Sequence, residues 1–418
     1  MIELEVITRF LTIVLGILSI VLVVKRISKP NYIVPLYAVF LLFFWIPLIL
    51  DTFIGIPDYS FKFNVLNKIV RNSLVGVYYN LYVCFLILVF SFYSRKRYFN
   101  VNVADIDYLL QVVFRYKKLI YFVVALPLIL LFFVDNPLIY LYYRALNDNY
   151  QVQSSFIDAI LLNSTFLSCL LGSVLLFVES NYGNKRTKGL RILIVLILLL
   201  FAVIINGKRN VVPVIIVIYF SLIYFRGDFS IKKLIRTLVF SGVLLFSFIS
   251  FYGKYSNTVP TENYARTRID FGRLEVTKFV IYNEIVLNRS ILEFRGQSFL
   301  FNTLIFVPRS IWEDKPQPYA VYMTKELLNF REVEYLGWSM TTSIFEESIS
   351  NLGFWLALFF PFVFFLFFRQ IIALPILFRI IGFFVFIMLL VVQFSAVSGI
   401  VLFGLILYVL FRIKRIIV

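Results

Sequence analysis

Apolar runs of about twenty residues recur along almost the whole chain, separated by short polar or basic stretches, and that spacing leaves few folds open. A bilayer core of about 30 Å is crossed by roughly 20 helical residues, because each adds about 1.5 Å. Only helices and closed barrels satisfy every backbone group inside hydrocarbon, and runs this long and unbroken read as helices. Spans are predicted near 5–24, 33–50, 73–93, 119–134, 157–178, 190–206, 211–225, 234–252, 347–368, 380–396 and 400–411. The expectation is an all-α polytopic membrane protein of about 11 transmembrane helices. Composition agrees: 61% of the 418 residues are hydrophobic and 15% charged, too little polar surface to cover a water-soluble globule. The run after "MIELEV" has no basic leader and no small-residue cleavage site, so it reads as a retained span rather than a signal peptide.

A formal charge of +17 invites nucleic acid, but the cations are dispersed in short clusters between apolar runs, where they set topology and meet anionic lipid. The bilayer, and not nucleic acid, is the expected partner. The clusters at 25–29, 94–97, 115–118, 184–191, 226–236 and 412–415 all fall on one side if the spans alternate. That side is predicted to be cytoplasmic, with the N-terminus outside and the C-terminus inside. Under the same alternation Lys208 and Arg209, in "NGKRN" between two closely spaced runs, come out on the external side and break the pattern.

Cys84 and Cys169 each lie inside an apolar run and read as buried free thiols. Histidine is absent, which removes the usual general base and the usual metal ligand. With no Cys/His metal spacing and no phosphate-binding Walker loop, no metal or nucleotide cofactor is expected. The chain divides into residues 1–252 with the first eight spans, a large external insertion at 253–346, and residues 347–418 with the last three. Within the first region, 101–118 carries Val103, Ile106, Leu109, Leu110 and Val113 near helical spacing, which predicts an amphipathic helix on the cytoplasmic interface. An insertion of about ninety residues exceeds what a connection needs and is a natural place for function.

The insertion opens with Arg266, Arg268, Arg273 and Lys278 among Asp270, Glu275 and Glu284. These residues make either a salt-bridged surface helix or a guanidinium cluster whose planar forks bind phosphate. Further on, "VPRSIWEDKP" offers Arg309 and Lys315 as cations and Trp312 as a flat face for a sugar or for the membrane interface. The insertion closes on "SIFEESISNLGFW", where Glu346 and Glu347 stand at the mouth of the next span. They either cap that helix, whose dipole favours acids, or line a wet cavity in which one serves as a general base.

With a dozen-odd spans, the Gly-Lys-Arg turn and a long loop carrying "VPRSIWEDKP" and then "SIFEESISNLGFW", the chain resembles the Wzy-type oligosaccharide repeat-unit polymerases of bacterial O-antigen and capsule assembly. The resemblance implies a GT-C-type glycosyltransferase of the cytoplasmic (inner) membrane. Such an enzyme moves a growing glycan from its undecaprenyl diphosphate to a hydroxyl of an incoming lipid-linked repeat unit, without a metal. A chain-length regulator and a flippase of the same pathway would be its partners. Lys208 and Arg209 would hold the lipid diphosphate, with Arg266, Arg268, Arg273, Arg309 and Lys315 as further phosphate or glycan contacts. Glu346 or Glu347 would activate the acceptor, with Glu275 in reserve. Two features depart from the pattern: the Arg-x10-Gly motif of some members is missing, and so is the loop histidine of the related O-antigen ligases. The alternative is a flippase or exporter of lipid-linked oligosaccharide, which calls for a cationic cavity within the spans and no large external loop.

Overall fold

A computed structural model describes residues 1–24, 30–59, 63–135, 137–141, 156–182, 186–207, 211–227, 264–265, 268–269, 272–329 and 339–417. Among them the regular structure is helical, and the strand-like pairing is an isolated antiparallel bridge between Asn31 and Asn100. Among the described residues six helices are long and apolar enough to cross a bilayer: Ile2–Val23, Ile33–Phe53, Ser73–Ser94, Ile160–Tyr182, Lys188–Asn206 and Phe354–Ile372. A seventh follows if Val103–Arg115 and Lys117–Phe133, which meet at 76°, count as one bent crossing. The protein is thus an all-α, membrane-embedded chain.

Shorter apolar helices at Ile215–Phe225, Ile376–Leu389 and Phe394–Ile406 fall where three more spans are predicted, while 234–252 lies outside the described residues. Hydropathy limits where a helix can run, but glycine and proline decide where it stops. The predicted span 347–368 is one such case: the Ile344–Leu352 helix ends at Gly353, whose φ of 81° is left-handed, and the crossing starts afresh at Phe354. Glu346 and Glu347 therefore sit on a separate helix ahead of the span. The helix predicted at 101–118 is present as Val103–Arg115, with Ile106, Leu109 and Leu110 buried.

By internal contacts the chain forms two compact units, one made of 1–100, 258–334 and 339–418, the other of 101–257 with 335–338. The long insertion therefore belongs with the first hundred residues and the C-terminal helices. In the second unit, helices Lys117–Leu130, Phe156–Tyr182, Lys188–Asn206 and Val211–Phe225 share a core. Val195, Leu199, Ala202 and Val203 recur on one helical face and bury against Val124, Cys169, Leu175 and Ile215. Polar side chains lock this packing: Ser168 Oγ donates to the Val124 carbonyl at 2.7 Å, and Asn206 Nδ2 donates to Thr165 Oγ1 at 2.7 Å. Gly207, buried and left-handed at φ 68°, closes the Lys188–Asn206 helix with its N–H on the Val203 and Ile204 carbonyls.

In the first unit, Ile2–Val24 packs along Ser73–Ser94. Asn80 Nδ2 donates to Thr8 Oγ1 at 3.1 Å, and Thr12 Oγ1 donates to the Asn80 carbonyl at 3.2 Å. The approach is close enough that a Cβ on Gly76 would overlap the Glu5 carboxylate. The Ile33–Phe53 crossing contains an irregularity that positions everything below. Pro47 has no N–H, so the Phe43 carbonyl loses its donor four residues on, and the proline ring crowds that turn. The helix widens there into a π turn at Leu41–Trp45, with the Ile46 N–H reaching the Leu41 carbonyl. The released carbonyls find partners elsewhere: Phe43 O accepts from the Arg273 backbone N–H at 2.8 Å, and Phe44 O accepts from Tyr79 Oη at 2.5 Å.

Candidate functional site

The insertion returns to the ends of the crossings through the Leu274–Ile281 helix, all of whose residues are buried. A salt-bridged surface helix is therefore not what forms. Arg268, Arg273, Glu275 and Lys278 are each at most 3% exposed, and burying charge so thoroughly requires partners for all of them. Arg268 Nη1 donates to Asp51 Oδ1 at 2.5 Å, and its Nη2 lies 2.7 Å from Glu275 Oε1. Tyr59 Oη donates to the same Glu275 oxygen at 2.8 Å. One guanidinium thus bridges an acid at the end of the Ile33–Phe53 crossing and an acid of the insertion, so the two carboxylates share a single positive charge through one fork. Burial raises Glu275 above the ordinary carboxylate value, and Arg268 works against that rise.

Lys278, one turn beyond Glu275, does not pair with it in the way the i,i+3 spacing suggested. Its Nζ donates to the Val70 carbonyl at 3.0 Å, closing the C-terminus of the Asn64–Val70 helix with a positive charge. Burial pulls this ammonium below the ordinary lysine value. Arg273, fully buried, donates through Nη1 to the Thr341 carbonyl and stacks its guanidinium 5.7 Å from the Phe43 ring.

The acids at 346 and 347 turn out to have different surroundings. Ser343 and Glu346 form a reciprocal capping box for the Ile344–Leu352 helix, with the Ser343 N–H on Glu346 Oε2 at 2.6 Å. The other Glu346 oxygen accepts from Thr277 Oγ1 at 2.9 Å. Burial raises its pKa while Arg273 opposes the rise. Glu346 is thus committed to the cap. Glu347 points to the Gln297–Thr303 helix, where Ser298 Oγ and Asn302 Nδ2 donate to its Oε1, the latter at 2.6 Å. Among the described residues no cation pairs with it, and burial pushes this carboxyl up to about 7 even though Ser298 and Asn302 pull the other way. A buried carboxyl poised near neutrality is what proton transfer requires.

The cations of "VPRSIWEDKP" are turned onto their own loop. Lys315 Nζ donates to the Ile305 and Val307 carbonyls at 2.6 and 2.7 Å, and Arg309 Nη1 donates to the Lys315 carbonyl at 2.8 Å. Trp312 is half-buried. Lys208, Arg209 and Arg266 lie outside the described residues. Sequence reading missed Asp51, Tyr59, Thr277, Ser298 and Asn302, which complete the shell around the acids and cations. Asp51 had a signal, as an acid at the end of an apolar run; the neutral donors had none. Glu284, grouped with the cations by sequence, instead grips Arg295 through two bonds of 2.6 Å, and Arg295 also donates to the Ser350 carbonyl at 2.9 Å. Among the described residues no group of three or more acidic or cysteine side chains is arranged to hold a metal. No family model, no curated protein and no solved structure matches the chain.

Proposed function

We propose that the chain is a membrane glycosyltransferase of the Wzy type, joining lipid-diphosphate-linked oligosaccharide repeat units. The observation that carries this reading is the gathering of Arg268, Arg273, Glu275, Lys278, Glu346 and Glu347, all buried, where the insertion meets the ends of the crossings. Ionisable groups are expensive beside hydrocarbon and collect where a membrane protein does chemistry. In this reading Glu347 is the base. An acceptor sugar hydroxyl replaces Ser298 or Asn302 as the donor to its carboxylate and gives up its proton there. The hydroxyl oxygen attacks the anomeric carbon of the donor chain, the carbon–oxygen bond to the lipid diphosphate breaks, and the diphosphate leaves with the electron pair. Lys208, Arg209 and Arg266 are the proposed cations for that leaving group, and GT-C is the proposed class. O-antigen or capsular polysaccharide is the proposed product, at the outer face of a bacterial cytoplasmic membrane.

Purified protein supplied with lipid-linked repeat units in detergent, with neither nucleotide nor metal added, should lengthen them into a ladder. Glu347→Gln should insert normally and abolish the ladder. A ladder of wild-type length from Glu347→Gln would remove that residue from the chemistry, and the absence of any ladder with the host's own repeat unit would remove the function.

One observation favours the translocating alternative. Glu179 is fully buried within the Phe156–Tyr182 helix, with Lys117 Nζ at 3.4 Å and Arg191 Nη1 at 3.6 Å. Such a cluster, in the last turn of its helix and beside the basic stretches at 115–118 and 184–191, suits the cytoplasmic mouth of an ion-coupled path. Movement of labelled lipid-linked sugar across proteoliposomes, lost in Glu179→Gln and unaccompanied by a ladder, would favour it.

A further inference from the structure

The surface of the first unit carries a cleft of about 710 Å³ on the Asn64–Val70 helix, and it takes no part in the buried network. That volume lies within the roughly 300–1,000 Å³ of small-molecule sites. Its polar lining is Asn64, Asn67, Lys68, Arg71 and Tyr282, with no carboxylate among the lining residues. Each group can be checked for prior commitments. Asn67 is used structurally, accepting from the Tyr59 N–H at 2.9 Å and donating to the Tyr59 carbonyl at 3.1 Å. Asn67 also donates to Asn64 Oδ1 at 3.1 Å, which leaves the Asn64 amide nitrogen for a ligand. Lys68 is exposed and makes no ion pair among the described residues. Arg71 pairs with Asp58, but both side chains are at least half exposed, and so open a pair contributes little and yields to a competing anion.

Tyr282 opens the π turn Tyr282–Val286, an irregularity that single helical turns adopt most often at functional sites. Its phenol ring adds a flat face and a hydroxyl to a wall in which Val65 and Ile69 supply apolar surface between the cations and amides. The floor is rigid, because Lys278 one turn earlier ties its Nζ to the Val70 carbonyl at the end of the Asn64–Val70 helix. A ligand matching these groups has hydroxyls for the amide and phenol, a ring face for the tyrosine, and an anion for Lys68 and Arg71.

We infer that this cleft binds an acidic saccharide, its charge supplied by a phosphate or a sugar carboxylate. The inference rests on the polymerase reading only in expecting carbohydrate at this protein. The test uses the full-length protein in detergent and isothermal titration with glucose 1-phosphate, glucuronic acid, inorganic phosphate and methyl glucoside. Binding of glucose 1-phosphate or glucuronic acid is expected. Lys68→Ala and Tyr282→Ala should each weaken it by about tenfold. Competition by inorganic phosphate would assign the anion to a phosphate, and its failure against glucuronic acid binding would assign it to a carboxylate. Methyl glucoside binding as tightly as the acidic sugars, no binding of either acidic sugar, or unchanged binding in both variants at an unchanged melting temperature would overturn the proposal. Because binding is read without turnover, a protein that binds acidic sugar yet makes no ladder defeats the polymerase reading and leaves the cleft standing. A ladder made without any such binding does the opposite.

Discussion

Glu347 makes the fold answer to pH in a direction opposite to that of a salt-bridged acid. Its carboxyl ordinarily titrates near 4.5 and is pushed up to about 7 in the folded chain, chiefly by burial. Below about 4.5 it is protonated whether the chain is folded or not, and nothing is lost. Between about 4.5 and about 7 the unfolded chain gives up the proton while the folded chain holds it. Above about 7 the fold must keep a buried carboxylate, and the full penalty applies. At about 1.4 kcal/mol per pH unit, a rise of roughly 2.5 units makes that penalty about 3 kcal/mol. Stability attributable to this residue therefore falls as pH rises through neutrality. Thermal melting of the detergent-solubilised protein from pH 4.5 to 8 measures it, with Glu347→Gln as the reference lacking the titration. Glu275 and Glu346 are also raised by burial, so the informative curve is wild type minus variant. That difference should grow by about 3 kcal/mol in the variant's favour across the window. A difference that stays flat within about 1 kcal/mol would refute the assignment of this acid to a desolvated site with neutral donors only. The proposed chemistry needs the ionised form, so ladder synthesis should rise with pH over the same interval in which stability declines.

Arg268→Met leaves Asp51 and Glu275 buried without their shared cation and should cost about 3–5 kcal/mol, read as lost folded yield and a lowered melting temperature. Combining it with Asp51→Leu and Glu275→Leu should recover most of that loss. Gly353→Ala should destabilise by about 1–3 kcal/mol through backbone strain alone, since φ 81° with ψ 158° is a region glycine alone adopts readily and the nearest atom to the added Cβ, in Glu284, stands at 3.8 Å. Arg209→Ala should leave membrane insertion and melting intact while abolishing long glycan chains on a gel, and normal chain lengths would clear that residue of phosphate binding.

Much of the fold could be read from the sequence because the apolar runs are a local property. The crossings near Ile33–Phe53, Ser73–Ser94 and Lys188–Asn206, and the amphipathic Val103–Arg115 helix, follow from run length and spacing alone. So does the cap at Glu346, since a serine three residues before a glutamate at the start of an apolar stretch specifies its own geometry. The break at Gly353 was not legible, because a glycine within an apolar run is as compatible with a continuing helix as with a left-handed stop. The buried network was legible only in half. Arg268, Arg273, Glu275, Glu346 and Glu347 stand out as charges on the insertion, but their partners are set by tertiary contact. Arg268 meets Asp51 across a separation of 217 residues, and nothing local in either sequence announces the other. The same holds for Ser298 and Asn302, neutral residues that only a folded chain brings to Glu347.

The π turn at Leu41–Trp45 amounts to one surplus residue inserted into an otherwise regular crossing. Every residue in an α-helix advances the azimuth by about 100°, so the surplus acts as a phase shift on all that follows. Deleting one residue between 41 and 45 would restore the ordinary ladder upstream of Pro47 and swing Asp51 by about that angle away from Arg268. The length of this segment, rather than the identity of its members, is what aims the acid. In chains descended from this one, the loss of a residue here calls for a second change that carries the aspartate one place along the sequence, whereas Phe43 and Trp45 are held besides by their own contacts with Arg273 and the Thr12 carbonyl.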